Sequence, residues 1–479
     1  MTATEDLTTP PPALIAAVTR AGQAQVFRCW DRLDSAGRAG LIRQLETVDW
    51  DGLPALQSLV GEHRRGIVAA GIGDLATAET PPCVRLGTDE ARADAERLGE
   101  RALAAGRIGA VLVAGGQGSR LGCNGPKGLY RVGPVSDASL FELLLGRLVA
   151  VRQRYGRDVP LAIMTSAATD AGTREFLAKH GHCGLDPGLV LVFQQAELPA
   201  LDAASGDLLL DGPGRLATAP DGHGGMLVAL RKCGGLEWFA GHGVEHVATF
   251  QVDNPLALPL DAEFLGHHLR GAADFTTQVI RKREPGERVG VVIRHGGSHR
   301  VVEYSDLPAA LAAERGPDGG LRFHAGSIAV HAFTLAFLDR AAAERTALPL
   351  HLAFKVVPHL DAAGERVVPS QPNAIKFERF IFDIMPLADR ICVVEIEAAE
   401  GFAPLKNPPG AAADAPEHVQ AALVARARAI LARAGIEVAP GVAVELDAAT
   451  VIDERDLTAA LPPGTRIDRP QLVRGGATR

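Results

Sequence analysis

The chain has 479 residues, of which 47% are hydrophobic and 22% charged, and it carries a formal net charge of -8 at pH 7. A chain of this length holds about two or three domains around a large core. The acidic balance excludes a bulk polyanion-binding surface, so no nucleic-acid partner is expected, while a local basic pocket for a small phosphorylated ligand stays open.

The N-terminus, MTATEDLTTPPPALIAA, lacks the basic start and apolar core of a signal peptide. No uncharged apolar run approaches the roughly 20 residues needed to span a bilayer, so no membrane partner is expected. The 6 cysteines are scattered without a CxxC pair, which argues against a zinc site or disulfide framework and for a cytoplasmic location.

After the Pro-rich leader, Ile15, Val18, Val26, Trp30 and Leu33 recur near the helical period, and a second stretch around Leu41, Ile42 and Leu45 follows. Residues 61–104 mix loop signals with another helix, DEARADAERLGERALAAG. From Ile108 the character changes. A short β-branched run to Val113 ends in a Gly-rich turn, and the helix SLFELLLGRLVAVRQRYG leads to a second apolar strand, VPLAIMTS. LVLVFQQ and HVATFQVDN follow after further helical stretches. Strands alternating with helices imply right-handed crossovers and a mainly parallel, Rossmann-like α/β sheet. Ligands bind beyond the carboxyl ends of such strands. Here those ends carry AGGQGSR, TSAATD, QQAELP and VDN. VGVVIR and RVVEYS flank HGGSH and read as a hairpin, with a helix expected near 331–345 and an Ala/Arg-rich helix after 402. The expected division is an N-terminal helical region (1–104), a catalytic domain (105–400) and a small C-terminal domain (401–479).

AGGQGSRLGCNGPKG, residues 114–128, is the strongest chemical signal. Its glycines let amide N–H groups approach a ligand, and Arg120 and Lys127 add positive charge nearby. Donors and cations on one loop suit a triphosphate, whose charge must be neutralised before a nucleophile approaches. The spacing is neither GxGxxG nor GxxxxGK[ST], which counts against an NAD-dependent dehydrogenase; a Gly turn without ligand is the bland alternative. The cluster APDGHGGM would admit a base or sugar against bare backbone, or be a plain loop. Gln194 and Gln195 end a strand, where an amide can pair with a uracil edge. Asp253, in FQVDNP, is either a Mg²⁺ ligand or a turn acid. Glu303 and Tyr304 could accept from sugar hydroxyls or simply pair on a surface strand. Lys376 and Lys406 lie in apolar surroundings and need an anionic partner, a phosphate or a structural carboxylate. The histidines make no HExxH, and no GxSxG is present, so covalent catalysis is disfavoured.

In order along the chain, VLVAGGQGSRLGCNGPKGLY, MTSAATDAGTREF, VFQQAELPAL, APDGHGGMLVAL, QVDNPLA, VVEYSDL, HAFTLAFL, KFERFIFD and FAPLKNPPG resemble the eukaryotic-type UDP-sugar pyrophosphorylases, most closely the UDP-N-acetylglucosamine branch. The resemblance implies a Rossmann-like nucleotidyltransferase domain with an N-terminal helical part and a smaller C-terminal domain. It implies a reaction of UTP with a sugar 1-phosphate, Mg²⁺ as cofactor, and a monomer or small homo-oligomer. Ala114, Gly115, Gly116, Gln117 and Gly118 would line the nucleotide, with Arg120 and Lys127 on its phosphates. Gln195 and Gly222 would meet the uracil, and Asp253 would hold Mg²⁺. Glu303 and Tyr304 would face the sugar. Lys376 and Lys406 would steady phosphate charge, Lys406 near the reacting α-phosphate.

Three positions depart from the pattern. His223 stands where the N-acetylglucosamine branch has Asn, and the UDP-glucose enzymes carry GHG at the comparable loop. Ser327 replaces an Asn in the strand before the HxFT helix, and Ala196 replaces Gly after FQQ. His223 and Ser327 fall where sugar contacts are expected. N-acetylglucosamine 1-phosphate is therefore the first expectation, glucose or galactose 1-phosphate the alternative. A non-catalytic sugar-nucleotide binding protein is the alternative of another class, opposed by the retained Arg120, Lys127, Asp253, Lys376 and Lys406.

Overall fold

A computed structural model describes residues 9–64, 75–88, 90–123, 125–344 and 348–476. Contacts divide the chain into two units, one made of Met1–Gly73, Ala196–Gly225 and Leu348–Phe380, the other of Asp74–Gln195, Met226–Ala347 and Ile381–Arg479. These cuts differ from the expected boundaries at 104/105 and 400/401. The N-terminal helices α1 (Pro12–Arg20), α2 (Ser35–Thr47) and α3 (Leu53–Arg64) share a unit with distant strands. The reason is burial: Leu14, Val18, Trp30, Leu41 and Leu45 form one core with Leu201, Leu216, Ile375 and Phe377. Short helices cannot bury such a stripe alone, and a three-stranded sheet of Leu201–Asp202, Ala374–Glu378 and His351–Lys355 supplies the other side. Two glutamines tie the parts, Gln23 accepting from the Leu208 N–H at 2.7 Å and Gln44 from that of Leu216 at 2.8 Å.

The second unit is built on a ten-stranded sheet. Its strands are β1 (Val84–Arg85), β2 (Ile108–Val113), β3 (Leu161–Thr165), β4 (Val190–Gln194), β5 (His246–Gln251), β6 (Phe275–Arg281), β7 (Val291–His295), β8 (Ser298–Val302), β9 (Ala325–Thr334) and β10 (Ile391–Ile396). The order is β1-β10-β6-β9-β5-β2-β3-β4, with β7 against β8 and β9. β9 runs antiparallel to both β5 and β6, and the remaining pairs along that path are parallel. β7 and β8 form the expected hairpin. The residues HAF of the expected 331–345 helix instead close β9, and the helix begins at Leu335. VHAF is buried on both faces, which suits a strand between two neighbours, and the Thr334 hydroxyl caps the helix by accepting from the Phe337 N–H at 3.1 Å.

From β2 the chain moves outward through β3 and β4 and then returns to the other side of β2 as β5. The carboxyl ends of β2 and β5 therefore flank a switch point, where open α/β sheets bind ligands. The helices that complete this unit include α4 (Arg92–Ala104), α5 (Leu140–Tyr155), α6 (Asp170–Lys179), α7 (Ala262–Arg270) and α8 (Pro416–Arg433). α5 starts with a capping box in which the Ser139 hydroxyl accepts from the Glu142 N–H and Glu142 accepts from the Ser139 N–H. No helix among the described residues is long and apolar enough to cross a membrane.

α4 and α7 cross so closely that side chains are excluded. A Cβ on Gly99 would lie 1.9 Å from the Ala262 carbonyl oxygen, and one on Gly266 1.7 Å from that of Ala95. Backbone cannot yield as a side chain can. Gly266→Val is expected to destabilise the protein by about 3 kcal/mol or more, through forced separation of the two helices. The urea midpoint measures this, and a midpoint equal to wild type would mean that the crossing is looser than described.

Candidate active site

The loop after β2 folds back on itself through its own backbone. The Ala114 N–H donates to the Met164 carbonyl at 2.8 Å, the Gly118 N–H to Gly125 at 3.0 Å, and the Lys127 N–H to Gly116 at 3.0 Å. Gln117 pairs with Pro126 as an isolated bridge. This loop requires two of its glycines for different reasons. A Cβ on Gly115 would stand 2.4 Å from Nε2 of Gln195, and one on Gly128 would enter the Phe141 ring at 2.3 Å. Gly116 and Gln117 are exposed, and nothing lies within 4 Å of where a Gly116 Cβ would be. That leaves bare backbone facing open space, as a phosphate-binding turn requires.

The residues of the loop converge with the end of β5. Lys127 Nζ lies 3.8 Å from Asp253 Oδ2, with 15% and 18% of the two side chains accessible. Burial holds the Lys127 ammonium below its ordinary pKa. Asp253 opposes that shift, Lys406 and Arg120 add to it, and Asp414 opposes it again. Arg120, Lys127 and Lys406 thus share one field with two carboxylates. The cations lie close enough to repel one another, which an incoming polyphosphate would relieve.

Lys406 is carried there by its backbone. The Leu405 N–H donates to the Asp253 carbonyl at 2.8 Å, and the Lys406 N–H to that of Asp414 at 2.8 Å. Asn254, 3% exposed, fastens the segment. Its Nδ2 donates to the Gly401 carbonyl at 2.8 Å, and its Oδ1 accepts from the Ala403 N–H at 3.1 Å and the Leu256 N–H at 3.2 Å. The sequence reading missed Asn254 and Asp414. The adjacency of Asn254 to Asp253 in VDN was the available signal for the first. Nothing local marks the second, since only the fold brings it near.

Gln195 sits just past β4 and is 8% exposed, with its N–H donating to Thr165 at 2.9 Å. Its Oε1 is buried and has no hydrogen-bond partner among the described residues. A buried acceptor left open is costly unless something fills it, and a uracil N–H is a fitting donor. Ser166 supports the same corner, its hydroxyl donating to the Gly115 carbonyl at 2.8 Å.

Glu303 and Ser327 come together around Gly290. The Ser327 N–H donates to the Gly290 carbonyl at 2.8 Å, and a Gly290 Cβ would stand 2.9 Å from Glu303 Oε1. β9 runs antiparallel to β5 with His246 opposite Thr334 and Thr249 opposite His331. Ser327 therefore lies toward the same end of the sheet as Asp253. The expected strand position of Glu303 and Tyr304 is corrected, because β8 ends at Val302 and both residues lie in the turn that follows. Tyr304 is exposed at 48%.

Gly222, His223 and Lys376 belong to the first unit. Gly222 has φ +83°, and its Cβ would meet the Arg379 carbonyl oxygen at 2.4 Å, so only glycine fits that turn. The His223 ring stacks on Phe380 at 5.2 Å, and Phe380 also meets His351 at 4.4 Å. Burial lowers the His223 pKa to about 4, and the neighbouring His351 adds to the shift. Lys376, expected to be buried, is only partly so. Asp221, in the same loop, was not singled out from sequence. It is fully buried, and its Oδ2 accepts from Arg379 Nη1 at 3.0 Å.

Burial pushes the Asp221 pKa up to about 6, although Arg379 opposes the shift. An acid whose folded pKa is raised binds more protons folded than unfolded, so its contribution to stability is present below about 4 and is lost as pH rises through about 6. Urea unfolding is expected to show about 2–3 kcal/mol of stability lost across that window from this group. Asp221→Asn removes that slope; an unchanged slope in the variant would assign the pH dependence elsewhere.

Among the described residues no group of three or more His, Cys, Asp or Glu side chains could hold a metal. That does not disqualify Asp253, because Mg²⁺ usually takes one or two carboxylates and completes its shell with water and phosphate oxygens. A lone hard carboxylate beside a cationic phosphate cradle fits such a shared ion.

Comparison with known proteins follows the same line. Residues 79–410 match the family model described as UTP--glucose-1-phosphate uridylyltransferase. The chain is 37% identical over 430 residues to the UDP-N-acetylhexosamine pyrophosphorylase-like protein 1 of Mus musculus, covering 86% of this chain and 83% of that one. It is 32% identical over 442 residues to the UDP-N-acetylglucosamine pyrophosphorylase of Saccharomyces cerevisiae, covering 89% and 92%. In fold it matches the crystal structure of the uridine diphosphate N-acetylglucosamine pyrophosphorylase from Trypanosoma brucei in complex with inhibitor, with TM-score 0.78, 24% identity and coverage of 95% and 98%. A glycine loop, a cation cluster and a carboxylate at the switch point, with this match over most of the length, lead to one conclusion: the chain belongs to the UTP--glucose-1-phosphate uridylyltransferase family and is a nucleotidyltransferase acting on UTP and a sugar 1-phosphate.

Proposed function

We propose that the sugar substrate is N-acetylglucosamine 1-phosphate, that Asp253 holds Mg²⁺, and that Arg120, Lys127 and Lys406 carry the charge of the reacting phosphates. The observation behind the reading is the Lys127–Asp253 pair at the carboxyl ends of β2 and β5, in the field of Arg120, Lys406 and Asp414. The choice of sugar is supported by the names of the relatives from mouse and yeast. Ala114, Gly115, Gly116, Gln117 and Gly118 are proposed to line the nucleotide, and the open Oε1 of Gln195 to accept from the uracil. Glu303, Tyr304 and Ser327 are proposed to contact the sugar. Gly222, His223 and Lys376 keep the uracil, sugar and phosphate roles that the family resemblance implies.

The reaction is a single in-line displacement. A phosphate oxygen of the sugar 1-phosphate bonds to the α-phosphorus of UTP, the bond from that phosphorus to the β-bridging oxygen breaks, and pyrophosphate leaves with the electron pair. The nucleophile is already anionic, so no general base is required, and the chain's task is positioning and charge stabilisation. Lys127 and Arg120 would hold the triphosphate from the β2 loop, while Lys406 approaches from the segment that Asn254 fastens. When bound, Mg²⁺ supplies further neutralisation of phosphate charge.

Pyrophosphate release from UTP and Mg²⁺ with separate sugar 1-phosphates tests this reading. N-acetylglucosamine 1-phosphate is expected to exceed glucose 1-phosphate in kcat/KM by about a hundredfold or more. The opposite order would overturn the choice of sugar and favour the glucose reading, to which the GHG sequence around His223 points.

A further inference from the structure

A second candidate site lies in the second unit, and none of its lining residues is among those assigned to the reaction. A cavity of about 170 Å³ is enclosed by α5, the segment Ala257–Asp261, α8 and the residues Val451–Asp453. Its walls are mostly apolar, including Leu144, Leu148, Phe250, Ile430 and Val451. Three guanidiniums, Arg147, Arg426 and Arg433, also line it, and Arg433 is paired with Glu400 and Glu454.

Arg147 and Arg426 are poorly matched. Arg147 Nη1 donates to the Ala257 carbonyl at 2.5 Å, and among the described residues no carboxylate lies within ion-pair distance of it. Burial holds the Arg147 pKa well below its ordinary value, and the like charge of Arg426 adds to the shift. Arg426 has Glu400 at 3.8 Å, beyond hydrogen-bond reach, and its buried Nε has no hydrogen-bond partner among the described residues. The other acids at the cavity are engaged. Asp453 takes Arg154 and Arg455, Glu400 also takes Arg433 at 3.3 Å, and Asp261 caps α7 by accepting from the Phe264 N–H at 2.8 Å. A guanidinium does not shed its proton at physiological pH, so these largely buried charges and their free donors favour an acceptor that enters the cavity.

We propose that this cavity is a binding site for a small aliphatic monocarboxylate, its carboxylate on Arg147 and Arg426 and its chain against the apolar walls. The neighbouring Asp261, Glu400 and Asp453 disfavour a dianion, and the leucine-rich walls disfavour a fully hydrated ion. The site touches the reaction machinery through the chain: Ala257–Asp261 follows Asp253, and Glu400 precedes the segment that carries Lys406.

Hexanoate is the probe and 1-hexanol its neutral counterpart, each titrated into the full-length protein by calorimetry and thermal unfolding. Hexanoate at about a hundred times its Kd is expected to raise Tm by on the order of 2 °C, with hexanol giving no shift. Arg147→Met and Arg426→Met are each expected to weaken hexanoate binding by about tenfold or more. Without ligand, Arg147→Met is expected to melt at or above the wild-type temperature, because a buried charge with no carboxylate partner among the described residues has been removed. Absence of saturable hexanoate binding to wild type, or equal binding of hexanol, overturns the proposal without recourse to any variant. Binding that persists undiminished in both Met variants places hexanoate elsewhere and overturns it as well.

Discussion

Asp253→Asn is expected to lower kcat for pyrophosphate release by about a thousandfold while moving the urea midpoint little. The stability term is small because the Lys127–Asp253 contact is 3.8 Å long with both side chains partly accessible, and such pairs contribute about 1 kcal/mol or less. The kinetic term is large because one substitution removes two things. It takes away the hard oxygen proposed for Mg²⁺, and it takes away the strongest influence that keeps Lys127 protonated. Lys127 is then left with burial, Lys406 and Arg120 all favouring its neutral form, opposed by Asp414 alone. The sign follows directly: the alkaline limb of the residual rate should move to lower pH than in wild type. A variant within tenfold of the wild-type kcat would remove Asp253 from the mechanism.

Lys406→Met should cost about a hundredfold to a thousandfold in kcat, with a pH effect of opposite sign. Lys406 depresses the Lys127 pKa, so removing its charge lets Lys127 hold its proton to higher pH. The alkaline limb should therefore move up while the rate at its plateau falls. The fold should survive, because the Lys406 segment is fixed by its backbone and by Asn254 rather than by the ammonium. A loss confined to KM would mean that Lys406 binds substrate equally in the ground and transition states. Shifts of the two variants in the same direction would contradict the shared field around Lys127.

Much of this was legible because it is local. The β-branched run Ile108–Val113 followed by AGGQGSR announces a strand ending in a ligand turn, since backbone approach requires glycine whatever lies around it. The hairpin at 291–302 and the Arg-rich helix α8 were likewise written in short-range patterns. The colinear motifs then identified the family, and the comparisons agree.

Other features depend on pairings distant in sequence, which no window of residues contains. Nothing in the N-terminal helices says that their apolar faces need Leu201, Ile375 and Phe377; a buried stripe specifies that it must be covered, not by what. The strand fate of HAF was decided by neighbours on both sides of β9. Asp414 enters the cation cluster, and Asn254 its supporting role, only because residues 401–414 fold back onto the end of β5. Arg147 and Arg426 each look like ordinary helix-surface arginines in sequence, and only packing of α5 near α8 buries them against one cavity. The sequence by itself determined which residues can do the chemistry, because side-chain type and backbone freedom are properties of single residues and short runs. The tertiary structure alone decided which of them share a field, because electrostatics and burial act through space between groups that the chain holds far apart.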